Sequence, residues 1–274
     1  MQIKFFCPYW GSEHLKWDVF FEKVKEVGYD GIEMSLPTHK QEREKIISLI
    51  NEYELDFVAQ HWETTDSDFE AHKKNFEAHL HKLMEGKPLL VNSQTGKDYY
   101  NFVQNSELFE IANKISIEYK TPIVHETHRG KWSFAAHITK QYLEKLPMLR
   151  IAADFSHWCA TAESFLHDQK EALELAISRT DHIHTRVGFP QGPQVNDPFA
   201  PEWAEALETH TIWWDKIVMQ KEKSGAELLT MTAEFGPVPY MPSVPFTLQP
   251  IANQWNINQK MMEMLKERYL DILD

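Results

Sequence analysis

The chain has 274 residues, enough for one large α/β domain and too many for a minimal module. Its 42% hydrophobic and 25% charged residues are a globular composition, so a packed core is expected and disorder is excluded. Lys and Arg number 28 against 41 Asp and Glu, and the resulting net charge of −13 counts against nucleic acid and anionic membrane as partners.

Strand-like runs alternate with amphipathic runs along the whole chain. Strands are expected at Ile3–Cys7, Gly31–Ser35, Asp56–Gln60, Leu89–Ser93, Pro122–Glu126, Leu149–Asp154, His182–Arg186 and Leu228–Glu234. Helices are expected near Leu15–Val27, Glu42–Tyr53, Asp66–Glu85, Ser106–Tyr119, Ser133–Leu146, Ala162–Ser178 and Pro201–Lys223, with a last one near Asn258–Leu273. Asp66 and Ser133 suit N-caps, and Gly28 and Gly225 follow helices as C-terminal glycines do. From the second strand to the seventh, starts fall about 25 to 34 residues apart, one strand–helix unit each. Eight such units predict an α/β fold, a (β/α)8 TIM barrel forming a single domain over 1–274 and closed by a C-terminal helix. A doubly wound open sheet is the alternative, but no GxGxxG or Walker-type turn is present.

Cys7 and Cys159 are too few for a disulfide framework and suit a reducing compartment. The N-terminus enters its first strand without a basic and then apolar leader pattern, and no apolar run reaches about 18 residues. A soluble, cytoplasmic protein with no membrane partner is expected. Trp255, expected at the surface, hints at a homodimer.

A TIM barrel places its chemistry at the C-terminal ends of its strands. There the chain carries Glu126 with His128, Asp154 with His157, His182-x-His184-x-Arg186, and Glu234. Side chains two apart share a strand face. If that face is inward, Glu126, Asp154, His184 and Glu234 converge at the top of the barrel. Three carboxylates and one imidazole suit one divalent cation: Mn²⁺, Mg²⁺ or Co²⁺ by oxygen content, with Zn²⁺ also open. Any one of these residues alone is better read as a solvated or capping acid or a packed histidine. Crowding three carboxylates without a cation is costly. Six of the 14 histidines (61, 125, 128, 157, 182 and 184) lie near strand ends.

These residues, with Gly28-Tyr29-Asp30-Gly31-Ile32-Glu33 entering the second strand, resemble the xylose-isomerase-like TIM-barrel superfamily of sugar-phosphate isomerases and epimerases. The resemblance spans the whole chain. In its ketose 3-epimerase branch, it implies that residues matching Glu126, Asp154, His184 and Glu234 bind one metal. It also implies that the two glutamates act as acid and base, and that His157 touches the substrate. The chain departs from that pattern at Arg186, two residues after His184, and in the Gly/Pro-rich segment 188–198, which is expected to form a lid or substrate wall. The departure bears on the substrate more than on the metal.

The leading expectation is therefore a divalent-metal-dependent isomerase or epimerase of carbohydrate metabolism, acting on a sugar or sugar phosphate. A proton would leave the carbon beside a carbonyl, giving an enediolate. His157, Arg186, His128, Trp10 and His61 are the substrate-binding candidates. Arg186 and His157 suit substrate oxygens or a phosphate, and Trp10, Trp62 and Trp158 suit the C–H face of a sugar or loop packing. Glu33, Asn92, Gln94 and Lys97 are weaker candidates. Two other enzymes stay open: a metal-dependent phosphodiesterase of the endonuclease IV type, which −13 disfavours, and a dehydratase on a cyclitol or keto-acid using the same metal. A sugar-binding protein on a retired barrel is the non-enzymatic alternative.

Overall fold

A computed structural model describes residues 1–270. Eight parallel strands close into a barrel in sequence order, with β1 (Gln2–Pro8) pairing both β2 (Gly31–Met34) and β8 (Leu228–Thr232). Between them run β3 (Asp56–His61), β4 (Leu90–Ser93), β5 (Ile123–Glu126), β6 (Ile151–Ala153) and β7 (Thr180–His184). The helical ring comprises α1 (Trp17–Val27), α2 (Lys40–Glu52), α3 (Phe69–Met84), α4 (Phe102–Tyr119) and α5 (Ala136–Lys145). It continues with α6 (Ser156–Ala162), α7 (Lys170–Ser178), α8 (Ala204–Lys223) and α9 (Gln254–Leu270). The barrel and the alternation expected from the sequence are those observed.

The barrel interior changes character along every strand. Its closed end is an apolar plug of Phe6, Val58, Leu90, Val124 and Ala152, separate from the larger core between sheet and helices. Two residues further on, the same inward faces of β3, β4 and β5 carry Gln60, Asn92 and Glu126, and Asp154 follows β6. All of these polar residues are buried. The two-residue period thus turns a hydrophobic stack into a polar one at the strand ends.

Several local expectations are corrected. The N-cap of α3 is Asp68, whose side chain accepts from Ala71 N; Asp66 instead accepts from Asn75 Nδ2. Ser133 does not cap α5; its hydroxyl donates to the Glu126 carbonyl and accepts from His128 N, pinning the turn after β5. Of the helix expected over Ala162–Ser178 only α7 (Lys170–Ser178) forms; Glu163 and Leu166 take positive φ (49° and 59°), and the short helix α6 (Ser156–Ala162) precedes them. Helix α6 begins two residues after Asp154, whose Oδ1 accepts from Ser156 N at 3.1 Å. Residues 271–273 of the expected last helix lie outside the described residues. Trp255 is half-buried against the core with Lys23 Nζ 3.6 Å from its ring, so it is no free surface aromatic.

Cys7 and Cys159 are buried free thiols. No described helix is long and apolar enough to cross a membrane. Trp213 and Trp214 on α8 and Trp158 on α6 are core residues, and Trp158 Nε1 donates to the Ser133 carbonyl at 2.8 Å. Segment 188–198, expected as a lid or substrate wall, contributes no lining residue to the cavity above the strand ends. Val187 and Val195 are buried, and Gln194 exchanges two hydrogen bonds with Gly236, donating to its carbonyl (3.0 Å) and accepting from its N–H (2.7 Å). A loop whose own apolar residues and amide are used this way is strapped to the barrel.

Candidate active site

Glu126, Asp154, His184 and Glu234 meet at the top of the barrel interior, one ligand atom of each lying within 4.8 Å of the others. From His184 Nδ1, Glu234 Oε2 is 3.0 Å away, Glu126 Oε1 3.8 Å and Asp154 Oδ2 3.9 Å. Neither His184 Nδ1 nor Glu126 Oε1 makes a hydrogen bond to any described residue, although both are buried. Two orphaned polar atoms aimed at one point, in a pocket of carboxylate oxygens, are what a bound divalent cation relieves. The spacing also fits, since bonds of about 2.1 Å put neighbouring ligand atoms about 3 Å apart and opposite ones about 4 Å apart.

The remaining atom of each ligand is held by a surrounding layer. Glu33 Oε1 lies 3.0 Å from His184 Nε2, so Nε2–H donates to it and Nδ1 is directed at the cluster. Glu33 Oε2 receives His182 Nε2–H at 3.1 Å, and Thr230 Oγ1 sits 2.7 Å from His182 Nδ1. The two glutamates are each tethered by an amide: Asn92 Nδ2 donates to Glu126 Oε2 at 3.2 Å, and Gln60 Nε2 donates to Glu234 Oε1 at 2.5 Å. Each thereby keeps its second oxygen facing the cluster.

Arg186 is buried beside this group. Its Nη2 donates to Asp154 Oδ2 at 2.5 Å and lies 2.7 Å from His157 Nε2, and its Nη1 is 3.5 Å from Glu234 Oε2. Tyr240 covers the guanidinium, its ring centre 5.0 Å away, and Trp10 packs edge-on against Tyr240. Arg186, a substrate-binding candidate in the sequence, is thus the residue that balances the charge of the cluster.

The electrostatics follow from crowding. Burial pushes Glu126 up to about 8, with the Glu234 and Asp154 carboxylates adding to the shift against His184. Burial opposes charge on His184, but Glu234, Glu33 and Glu126 outweigh it and hold the imidazole well above its ordinary range. Burial likewise opposes charge on Glu33, and the His184 and His182 imidazoles hold it well below the usual carboxylate range. A site without a cation therefore carries its positive charge on His184 and Arg186.

A cavity of about 680 Å³ opens above the cluster. Glu234, Arg186, His128 and Gln60 reach it from the floor, and Trp10, Trp62 and Gln94 from the loops after β1, β3 and β4. His61 does not line it: its ring nitrogens are 2.9 Å from Ser93 Oγ and 2.7 Å from Thr64 Oγ1, and it packs edge-on against Phe76. Its part is structural. His157 lies under Arg186 with the His128 ring 3.9 Å away. Gln60 escaped the sequence reading, and Asn92 entered it only as a loop residue for hydroxyls. The signal available for both was position, two residues beyond an inward apolar side chain on β3 and β4.

No family model matches the chain, and no curated relative does. Solved structures of the same fold do match. The 3-keto-D-glucoside 4-epimerase YcjR from E. coli is 14% identical, with 97% of this chain and 100% of that chain covered and a TM-score of 0.62. The probable 3-DHS dehydratase AsbF, involved in petrobactin synthesis in Bacillus anthracis, is 16% identical over 97% of this chain and 99% of that chain, TM-score 0.59. A sugar phosphate isomerase/epimerase from Parabacteroides distasonis is 13% identical over 96% and 97%, TM-score 0.58. Across nearly its whole length, this chain shares the barrel fold of these three proteins.

Proposed function

We propose that this protein is a divalent-metal-dependent isomerase or epimerase of a sugar, moving a proton at the carbon beside a carbonyl. The observation that carries the reading is the pair of orphaned atoms, Glu126 Oε1 and His184 Nδ1, converging with Asp154 and Glu234. Glu126, Asp154, His184 and Glu234 would hold the metal, with Mn²⁺, Mg²⁺, Co²⁺ and Zn²⁺ all compatible with the donor set. When bound, the metal supplies Lewis-acid polarisation of the carbonyl and charge stabilisation of the enediolate.

The protein's own residues account for the rest. Glu126 and Glu234 come from β5 and the end of β8, which are not neighbours in the barrel, so they approach a substrate from different sides. One removes the proton and the other returns it, to the same carbon for epimerisation. Asn92 and Gln60 hold each carboxylate by one oxygen, so the other is presented in a fixed direction. Arg186, Trp10 and His128 border the space where substrate oxygens would sit, and His157, 2.7 Å from Arg186 Nη2, acts through that guanidinium. The three structural neighbours, two of them named for isomerase or epimerase activity and one for a dehydratase, are compatible with carbanion chemistry on a polyol in this fold.

The test is metal content by mass spectrometry on untagged protein, wild type against a Glu234→Gln/His184→Ala double variant, followed by a sugar panel in D2O. One divalent ion per chain, lost in the variant, together with solvent deuterium entering a sugar carbon, is the expected result. Two or three zinc ions per chain would favour the phosphodiesterase alternative instead. No metal under any loading condition would remove the reading.

A further inference from the structure

The cavity above the cluster is larger than one sugar ring requires. At about 680 Å³ it falls among the roughly 300–1,000 Å³ pockets that enclose ligands of drug size. Beyond the floor, its wall is built by Tyr9, Trp10, Trp17, Trp62 and Tyr240. Tyr9 and Trp17 stack with ring centres 4.6 Å apart, and Trp62 is 52% exposed although it is a large aromatic facing the cavity. Aromatic faces of this kind pack against the C–H faces of saccharide rings.

The charges on that wall are all negative. Glu13, Glu42 and Glu63 line it, and Arg186 is the only lysine or arginine among the described lining residues. Arg186 is already engaged by Asp154 at 2.5 Å, and Lys82, next to the cavity, pairs with Glu63 at 3.2 Å. A phosphate dianion entering along Glu13, Glu42 and Glu63 would face carboxylates, with Arg129, 5.0 Å over the Tyr240 ring, as the one nearby arginine outside the lining, an arrangement that repels it on that wall. Sugar hydroxyls find the opposite situation, because carboxylates accept hydrogen bonds from them.

From this charge pattern and the aromatic wall we infer that the site takes an uncharged glycoside and rejects phosphorylated sugars. The ring that carries or opens to the carbonyl sits at the carboxylate cluster, and a second ring or an aglycone lies against Trp62 and the Tyr9–Trp17 stack. This rests on the reading of the site as a sugar isomerase or epimerase. It replaces the phosphate role expected of Arg186 with one of charge balance.

The test titrates the Mn²⁺-loaded full chain, by calorimetry, with glucose, galactose, their 6-phosphates, cellobiose, lactose and phenyl β-D-glucopyranoside. Two-ring and aryl glycosides are expected to bind about ten-fold more tightly than the monosaccharides, and the 6-phosphates about ten-fold more weakly than their parents. Trp62→Ala should weaken the two-ring ligands about ten-fold more than the monosaccharides, and Glu13→Gln/Glu42→Gln should strengthen the 6-phosphates. A 6-phosphate that binds as tightly as its parent, a second ring that adds nothing, or binding by none of these sugars would each overturn the inference. Deuterium exchange in D2O separates it from the reading beneath it. Exchange confined to phosphorylated sugars keeps the isomerase and removes the glycoside. Cellobiose and lactose, whose reducing ends open to a carbonyl, keep the glycoside and remove the isomerase if they bind without any exchange; phenyl β-D-glucopyranoside has no carbonyl and reports binding alone.

Discussion

Glu33 Oε1 lies 3.0 Å from His184 Nε2, and this contact decides which face of the imidazole the cluster sees. A buried carboxylate that accepts Nε2–H leaves Nδ1 as the nitrogen facing Glu234, Glu126 and Asp154, where a cation would take its lone pair in place of a proton. Glu33 supplies no ligand atom to that cluster, so its effect is on orientation and basicity. Glu33→Gln should leave the barrel folded and weaken Mn²⁺ binding about 10- to 100-fold, the range found for such supporting partners. Calorimetric titration of wild type and variant with Mn²⁺ measures the difference.

The two glutamates differ from the histidine because they are proposed to move protons as well as bind. Glu126→Gln and Glu234→Gln should each lower solvent exchange into the sugar carbon about 10²- to 10⁴-fold. If only one of them does so while both keep the metal, a single acid–base group is at work and an aldose–ketose isomerisation replaces epimerisation. Proton NMR of the product in D2O makes that distinction.

Arg186 is held by Asp154, His157 and Glu234 in a fully buried setting. Replacing it by methionine leaves Asp154 and Glu234 without their cation. Breaking a buried pair in this way costs about 3–5 kcal/mol, which urea unfolding of the metal-free protein should register. Arg186→Lys restores the charge but not the fork that spans two acids and a histidine, and should recover only part of the loss.

Gly236 N–H and C=O are both used by Gln194, and a Cβ at this position would fall inside the ring of Trp10. Gly236→Ala must therefore move either the indole or the strap at 187–200. A destabilisation of about 1–3 kcal/mol is expected, with a change in tryptophan fluorescence from Trp10. Urea midpoints read together with emission spectra measure both.

His210 on α8 anchors the same strap as a neutral imidazole. Nδ1–H donates to the Ala206 carbonyl at 2.9 Å, and Nε2 accepts from Gly188 N–H at 3.3 Å. Burial pushes its pKa down to about 4, against the pull of the Ala206 carbonyl. Because the folded value is depressed below the unfolded value of about 6.5, the unfolded chain gains a proton that the folded one refuses between those limits. The stability His210 contributes is full above about pH 6.5 and falls as pH drops toward 4, by at most about 1.4 kcal/mol per pH unit. Urea midpoints between pH 7 and 4.5 should decline, and less steeply in His210→Gln.

The alternation of strands and helices, the barrel and the inward placement of Glu126, Asp154, His184 and Glu234 were legible in the sequence. Each follows from a local period: side chains two apart share a strand face, and a strand–helix unit has a characteristic length. What the period does not carry is which inward side chain meets which. The pairing of Glu33 with two histidines of β7, the tethers from Gln60 to Glu234 and from Asn92 to Glu126, and the engagement of Arg186 join residues up to 174 positions apart. The contacts from Glu33 to β7 and from Gln60 to Glu234 cross the barrel and exist only because the eighth strand closes on the first, while the other two join neighbouring strands. The same limit explains the corrected details. An acidic or hydroxyl side chain suits a cap at many positions, and the turn of the chain selects Asp68 over Asp66. A Gly/Pro-rich segment reads alike whether it hangs over the mouth or is strapped down, and the amide of Gln194 settles the matter for 187–200. Sequence therefore determined the architecture and the depth of each functional side chain, while barrel closure decided the partners, the orientation of His184 and the charge of the cavity wall.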